Sequence, residues 1–263
     1  MDRDLRYKII IGILFLIIFI QTGFILKLSF KKRPPYRAPR IAARIAIVLD
    51  DWGYNLNSLE ILKDIKQPLT LAILPHLEYS QAVAGFAKKI GKEAILHLPL
   101  EPKIKDYQGW EKFTITTDMP EEKIREIVSG AVDNLGGIKG VSNHMGSKAT
   151  ENDRTMAIIF KELKKRGLYF LDSQVTPHSI CEKVAHDLSL KFIKRDIFLD
   201  NKKDAYYIRN QLNKLKLQAL KKGWAVGIGH DHRLTLEVLK EEISNMEKEG
   251  FKFVFLSELV DGR

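Results

Sequence analysis

A single cysteine, Cys181, stands among 263 residues, so an intrachain disulfide is excluded and the redox compartment is left open. Cys181 falls in the helical run HSICEKVAHDL, where a lone thiol packs as a small hydrophobe. Several signatures are missing as well. There is no G-x-S-x-G elbow, no G-x-x-x-x-G-K-[ST] loop and no G-x-G-x-x-G after the first strand. These absences remove the usual supports for a serine hydrolase, a P-loop enzyme and a dinucleotide binder. No H-x-x-x-H or H-E-x-x-H pair occurs, so no metal site is announced by local spacing. No internal repeat or low-complexity tract is visible.

The folded part also lacks a charge excess. The formal net charge is +10, but residues 1–44 hold ten Lys/Arg against Asp2 and Asp4, and the remainder is nearly balanced. A nucleic-acid partner needs a basic stripe on the folded domain, and none is available. Charge is absent altogether from Ile9 to Leu26, which reads IIIGILFLIIFIQTGFIL. Eighteen residues at about 1.5 Å each approach the thickness of a bilayer core. Basic residues flank the run and no small-residue cleavage site follows, so an uncleaved anchor is expected rather than a cleaved signal. Three Lys/Arg precede it and seven follow, which by the positive-inside rule alone would leave the domain cytoplasmic. The expected organisation is a short tail (1–8), a transmembrane anchor or signal segment (9–26), a basic Pro-containing linker (27–44) and one domain (45–263).

What the domain does have is regular alternation. Apolar, β-branched runs at 44–49, 69–74, 93–98, 141–144, 168–171, 191–195, 224–228 and 251–256 read as strands. Helical patterns separate them at 56–65, 78–90, 120–135, 152–166, 177–188, 204–222 and 235–249. An irregular stretch, 103–117 with Trp110, suggests a flap. Strict β-α alternation implies a parallel sheet, and the expected fold is an α/β distorted barrel of seven to eight mostly parallel strands.

Polar, chemically capable residues recur where these strands end: Asp50-Asp51, His97, Asn143-His144, Asp172, Arg195-Asp196 and His230. Parallel strands open all their C-termini onto one face, so residues spread over 180 positions of sequence can converge there. Two adjacent carboxylates repel unless a cation or proton is shared, so one of Asp50 and Asp51 can hold a metal while the other acts as base. Helix capping accounts for one of them but not for both. Imidazole suits zinc, iron, nickel or cobalt, which makes His97, His144 and His230 candidates for a metal-dependent hydrolase. Asp172, Arg195 and Asp196 could orient a ligand or bind substrate, with loop or cap chemistry as the other reading for Asp196 and Asp200. Glu101 is either a ligand or a loop brace, and His76 is a further pocket candidate. His178, His186 and His232 are expected on the surface or on helices.

Five segments carry a family likeness: VLDDWG (48–53), HLPLEP (97–102), GVSNHMGS (140–147), Asp172-Ser173 and Gly229-His230. Together they resemble the divergent polysaccharide deacetylase family, which is similar to the carbohydrate esterase deacetylases of the NodB type. The resemblance spans about 45–260. It implies a distorted barrel, a divalent metal (most often zinc) and hydrolysis of an N- or O-acetyl group on an envelope polysaccharide, with peptidoglycan among the possible partners. It further implies Asp50 as base, Asp51 and His97 as metal ligands and His230 as acid. The third ligand would be His144, or else Glu101, which stands four residues after His97 where the ordinary deacetylases carry a second histidine. The loop after His230 (Asp231-His232-Arg233) is more charged than the family's proline-containing loop. Family members are usually membrane-anchored or exported, which places the domain on the extracytoplasmic side despite the charge count. Two other functions are compatible with these residues: a metal- or glycan-binding envelope or division scaffold without turnover, and a metallophosphoesterase.

Overall fold

The structure, a computed structural model, describes residues 2–29, 41–104 and 111–262. It divides into two units, residues 1–40 and 41–263. In the first, Arg3–Ser29 form one continuous helix, α1. Between Ile9 and Phe24 its sequence carries no charge, and only Gln21 and Thr22 are distinctly polar. Among the described residues no helix is long and apolar enough to cross a membrane, so the transmembrane anchor expected over 9–26 is not borne out. Residues 30–40 of the expected linker, and Trp110 of the expected flap, lie outside the described residues.

The second unit follows the alternation read from the sequence. The strands are β1 (Ala43–Trp52), β2 (Thr70–Ile73), β3 (Glu93–Leu100), β4 (Gly140–Met145), β5 (Tyr169–Asp172), β6 (Phe192–Lys194), β7 (Ile197–Phe198), β8 (Trp224–His230) and β9 (Phe251–Phe253). Between them run α2 (Leu59–Asp64), α3 (Ser80–Lys89), α4 (Glu121–Leu135), α5 (Asp153–Lys165), α6 (Cys181–Asp187), α7 (Ala205–Lys222) and α8 (Arg233–Lys248), and α9 (Leu256–Asp261) closes the chain. Sequence gave these helices recognisable ends. Asn152 and Asp204 cap α5 and α7 by accepting from the amides of Thr155 and Tyr207. Gly223 ends α7 in the left-handed conformation.

Every strand pair is parallel, in the order β6-β5-β4-β3-β2-β1-β8-β7, with β9 added beside the start of β1. The two outer strands, β6 and β7, are separated in sequence only by Arg195 and Asp196. The Arg195 amide donates to the Asp172 carbonyl on one side, and the Asp196 amide donates to the Val226 carbonyl on the other. One kinked segment therefore supplies both edge strands of a curled, half-barrel α/β sheet. β6 lies within the strand expected over 191–195. β7, just beyond it, is an additional short strand, formed where the chain passes from the β5 edge to the β8 edge.

The period of two along each strand sorts side chains onto two faces. Ile45, Ile47 and Leu49, with Leu96, Leu98 and Phe170, pack outward beneath α4, α5, α7 and α8 in the larger core. Ala46, Val48, Ala72, Ile95, Leu171, Ile193, Val226 and Ile228 fill the concave face. Leu256, Leu259 and Val260 of α9 seal that face at the N-terminal ends of the strands. There Glu93 accepts hydrogen bonds from Thr70, Tyr169 and the Ser257 amide, so the buried carboxylate is satisfied. Sealed at this end, the concave face opens only where the strands end.

Candidate metal and hydrolytic site

Continuing the concave positions past the apolar layer gives the site. Val48 is followed two residues later by Asp50, Ile95 by His97, Ile193 by Arg195 and Ile228 by His230. Ser142 lies opposite His97 in the β3–β4 register, and His144 follows it on the same face. Asp51 breaks the rule. Strict alternation would point it outward, into the layer of Leu49. The pairing of β1 with β2 slips between Leu49 and Trp52, and Asp51 takes φ of +65°. This bulge turns a second consecutive carboxylate into the site. Aspartate is among the few residues that enter the left-handed region readily.

The Asp51 carboxylate is the centre of the cluster. Its Oδ1 lies 3.3 Å from His97 Nε2 and 3.0 Å from His144 Nδ1. Ligand atoms of Asp51, His97 and His144 all fall within 4.8 Å of one another. The other ring nitrogen of His97, Nδ1, is held by Ser142 Oγ at 2.7 Å, which fixes the ring and directs Nε2 into the site. Burial alone would raise the Asp51 pKa, but the two histidines hold its carboxyl well below the usual range. Two imidazole nitrogens aimed at one carboxylate oxygen need protons or a cation between them. One oxygen and two neutral imidazole nitrogens form a donor set that zinc accepts, so the residues present fit the metal that the resemblance implies.

Asp50 and His230 flank the cluster. Asp50 is 3% exposed, its Oδ2 lies 3.7 Å from His97 Nε2, and its Oδ1 is buried without a hydrogen-bond partner. Burial, reinforced by Asp51, pushes its pKa up against the pull of the histidines. His230 Nε2 lies 3.7 Å from Asp51 Oδ2, while its Nδ1 meets Asp200 Oδ1 at 2.9 Å. Asp200 is itself fixed by the His230 amide and by Thr235 Oγ1. Burial opposes a charged His230 ring, yet Asp200 and the two site aspartates lift its pKa to about 9.

That shift has a measurable consequence. The folded value lies above the ordinary histidine value of about 6.5. The His230–Asp200 pair therefore stabilises the fold fully below pH ~6.5, and the contribution disappears as pH rises through about 9. In the metal-free chain, an NMR titration should find His230 near 9. In an Asp200→Asn variant the His230 value should fall, because the largest raising influence is lost. The stability difference between the two proteins should be largest in mildly acidic buffer and shrink above pH 9. A wild-type His230 titrating near 6.5 would remove the pair from the account.

Four candidates lie outside the cluster. Glu101 braces a loop: its Oε2 accepts from the amide and hydroxyl of Thr117 and its Oε1 pairs with Lys148 at 2.6 Å. Both oxygens are used, so of the two possible third ligands only His144 stands in the cluster. Asn143 alternates outward, where its Oδ1 accepts from the Ser173 amide and its Nδ2 donates to the Met145 carbonyl. Asp172 is fully buried and accepts from Gln174 and Ser179, which ties the β5 turn together. Asp196 joins Lys222 to the Val226 amide. Arg195 does face the site. Its guanidinium donates to the carbonyls of Ser173 and Gln174, lies 4.7 Å above the Phe198 ring and feels the Asp50 charge. His76 is exposed, with its ring against Phe113. Sequence reading missed Ser142 and the orienting role of Asp200. Each acts only through a partner on another strand, and no local pattern marks either one.

Residues 47–260 match the sequence profile of the family described as divergent polysaccharide deacetylase. The chain is 33% identical over 219 residues to the uncharacterised protein YibQ of Escherichia coli, covering 83% of this chain and 68% of that protein. A solved structure of an uncharacterised Agrobacterium tumefaciens protein superposes with a TM-score of 0.80 at 22% identity, covering 86% of this chain and 92% of that one. The Xyl-CE4 domain of a multidomain xylanase from the hindgut metagenome of Trinervitermes trinervoides superposes at 0.50 with 16% identity, over 84% and 90% of the two chains. At these identities the structural matches establish the shared fold.

Proposed function

The chain belongs to the divergent polysaccharide deacetylase family, and on that premise we propose that it is a metal-dependent hydrolase removing acetyl groups from an envelope polysaccharide. The observation that carries the reading is the Asp51 carboxylate oxygen shared by His97 Nε2 and His144 Nδ1, with a buried carboxyl on one side and an aspartate-backed histidine on the other. Asp51, His97 and His144 would hold the metal, most naturally zinc. When bound, the metal supplies Lewis acidity toward the acyl carbonyl and toward a water.

The remaining chemistry belongs to the chain. Asp50, with a raised pKa and one free oxygen, accepts the proton of the attacking water. His230 is protonated near neutrality and donates from Nε2 to the departing nitrogen or oxygen. Asp200 fixes the His230 tautomer and ring plane through Nδ1. Arg195, anchored on two backbone carbonyls, presents a fixed positive charge toward Asp50.

The proposal also places the domain on the extracytoplasmic side. Its support is the location of an envelope glycan. The scaffold alternative drew on Glu101 standing where a ligand histidine is expected. His144 lies against Asp51 beside His97 and offers a third donor, which supports the hydrolase reading. The test is acetate release by the zinc-supplemented full chain from partially acetylated chitin oligomers and from peptidoglycan fragments. Turnover stopped by a chelator and restored by zinc is expected. A chain that binds zinc, yet releases no acetate from either set, returns the protein to the scaffold reading.

A further inference from the structure

Beside the Asp50–His230 side of the centre, a cleft of about 470 Å³ opens at the ends of β1 and β8. Its size falls in the range of small-molecule sites. The walls are held in place. The Asp231 amide donates to the Asp50 carbonyl at 3.2 Å, and Ser58 Oγ donates to the Asp231 carbonyl at 2.7 Å. The Asp231 loop is thus pinned both to the strand of the base and to the turn before α2.

Within this wall one group is underused. The Asp231 side chain is only 12% exposed, and no other residue among those described donates a hydrogen bond to its carboxyl. Its nearest ionisable partner is His232 Nδ1, at 3.9 Å. A carboxyl this deeply placed is costly without donors, and the open cleft is where donors can arrive. The rest of the lining narrows what those donors are. Lys203 and Arg233 disfavour a cation, and Asp231 disfavours an anion. Asn57, Lys203 and His232 donate where Asp231 accepts. Neutral hydroxyls, which do both, match that alternation. His232 contributes the only ring, so recognition is by hydrogen bonds rather than by aromatic stacking. The cleft lined by Pro102, Ile104, Met145, Ser147 and Val175 is mostly apolar, and Ser147 alone offers no comparable set.

We propose that Asp231 is a specificity-determining residue that holds hydroxyl groups of the sugar unit next to the acetylated one, so that the protein acts within a glycan chain rather than on a single sugar. The inference rests on the glycan reading above. One charged hydrogen bond of this kind corresponds to about tenfold or more in affinity.

The experiment compares binding of N-acetylglucosamine and its linear tetramer to the zinc-loaded full chain, in wild type, Asp231→Ala, Asp231→Asn and the distant control Lys139→Ala. The tetramer should bind Asp231→Ala about tenfold or more weakly, while binding of the single sugar shifts by less than about twofold. Asp231→Asn, which keeps an acceptor oxygen, should recover part of the loss, and Lys139→Ala should match wild type. With turnover, the loss should appear in KM, with kcat changed about twofold at most. Three results overturn the proposal: tetramer binding unchanged in Asp231→Ala, equal losses for monomer and tetramer, or a wild type that does not bind the tetramer. A wild type that binds the tetramer in this pattern without releasing acetate leaves the subsite standing and removes the hydrolase reading.

Discussion

Asp51→Asn and His97→Ala will each abolish stoichiometric zinc binding, whereas Glu101→Ala will keep it. Wild-type full chain, incubated with zinc and dialysed, should carry about one zinc per chain, as a three-ligand catalytic site does. Asn at position 51 tolerates φ of +65° nearly as well as Asp, so this variant removes the charge without adding backbone strain. His97 lies on β3 and His144 on β4, and both rings point at Asp51 Oδ1. Loss of either ring leaves two donors, too few for a closed set. His144→Ala should therefore behave like His97→Ala. Ser142→Ala should weaken zinc about 10- to 100-fold, the usual penalty when the group orienting a ligand histidine is lost. The decisive contrast is His144→Ala against Glu101→Ala. Zinc retained in the first and lost in the second would overturn the ligand assignment, and a wild type without metal would end the metal reading.

Asp50→Asn should lower kcat by about 10²- to 10⁴-fold with zinc content unchanged. The variant keeps the size of the side chain and removes only its ability to take a proton. Asp50 must be ionised to act as base, and burial raises its pKa. The wild-type kcat/KM profile should therefore have an acid limb, with activity falling as pH falls through it. Stability should move in the opposite direction. The folded carboxyl binds its proton more tightly than the unfolded one, so the metal-free wild type loses stability as pH rises from the ordinary value through the raised one. Asp50→Asn escapes that loss and should melt higher than wild type in metal-free neutral buffer, a gain in stability at the expense of function. Undiminished acetate release by the variant would strike Asp50 from the mechanism.

Much of this was legible beforehand because two periodicities govern it. Parallel strands of alternating burial place Asp50, His97, His144, Arg195 and His230 on one concave face at one end, and period-two counting from the apolar layer recovers each of them. The same counting, applied strictly, would have excluded Asn143 and Asp172, which sit one residue out of phase. Proximity to a strand end marked them as candidates, and phase then turned them into braces. Glu101 misled for another reason. Its distance along the chain from His97 matched a ligand spacing, but the chain bends after Leu100, and Thr117 and Lys148 engage the carboxylate away from the centre.

The sequence by itself determined the α/β alternation, the parallel sheet, the family and the set of residues able to do chemistry. Those properties are written locally, in hydrophobic period, helix caps and short motifs. Only the tertiary structure decided which of those residues meet. Asp51 joins the site through a slip in the β1–β2 pairing, His144 comes within reach of Asp51 through its register beside β3, and Asp200 and Ser142 orient histidines that lie far from them in sequence. Register, strand curvature and a backbone bulge are set by packing across the whole sheet, and a single stretch of sequence carries no record of them.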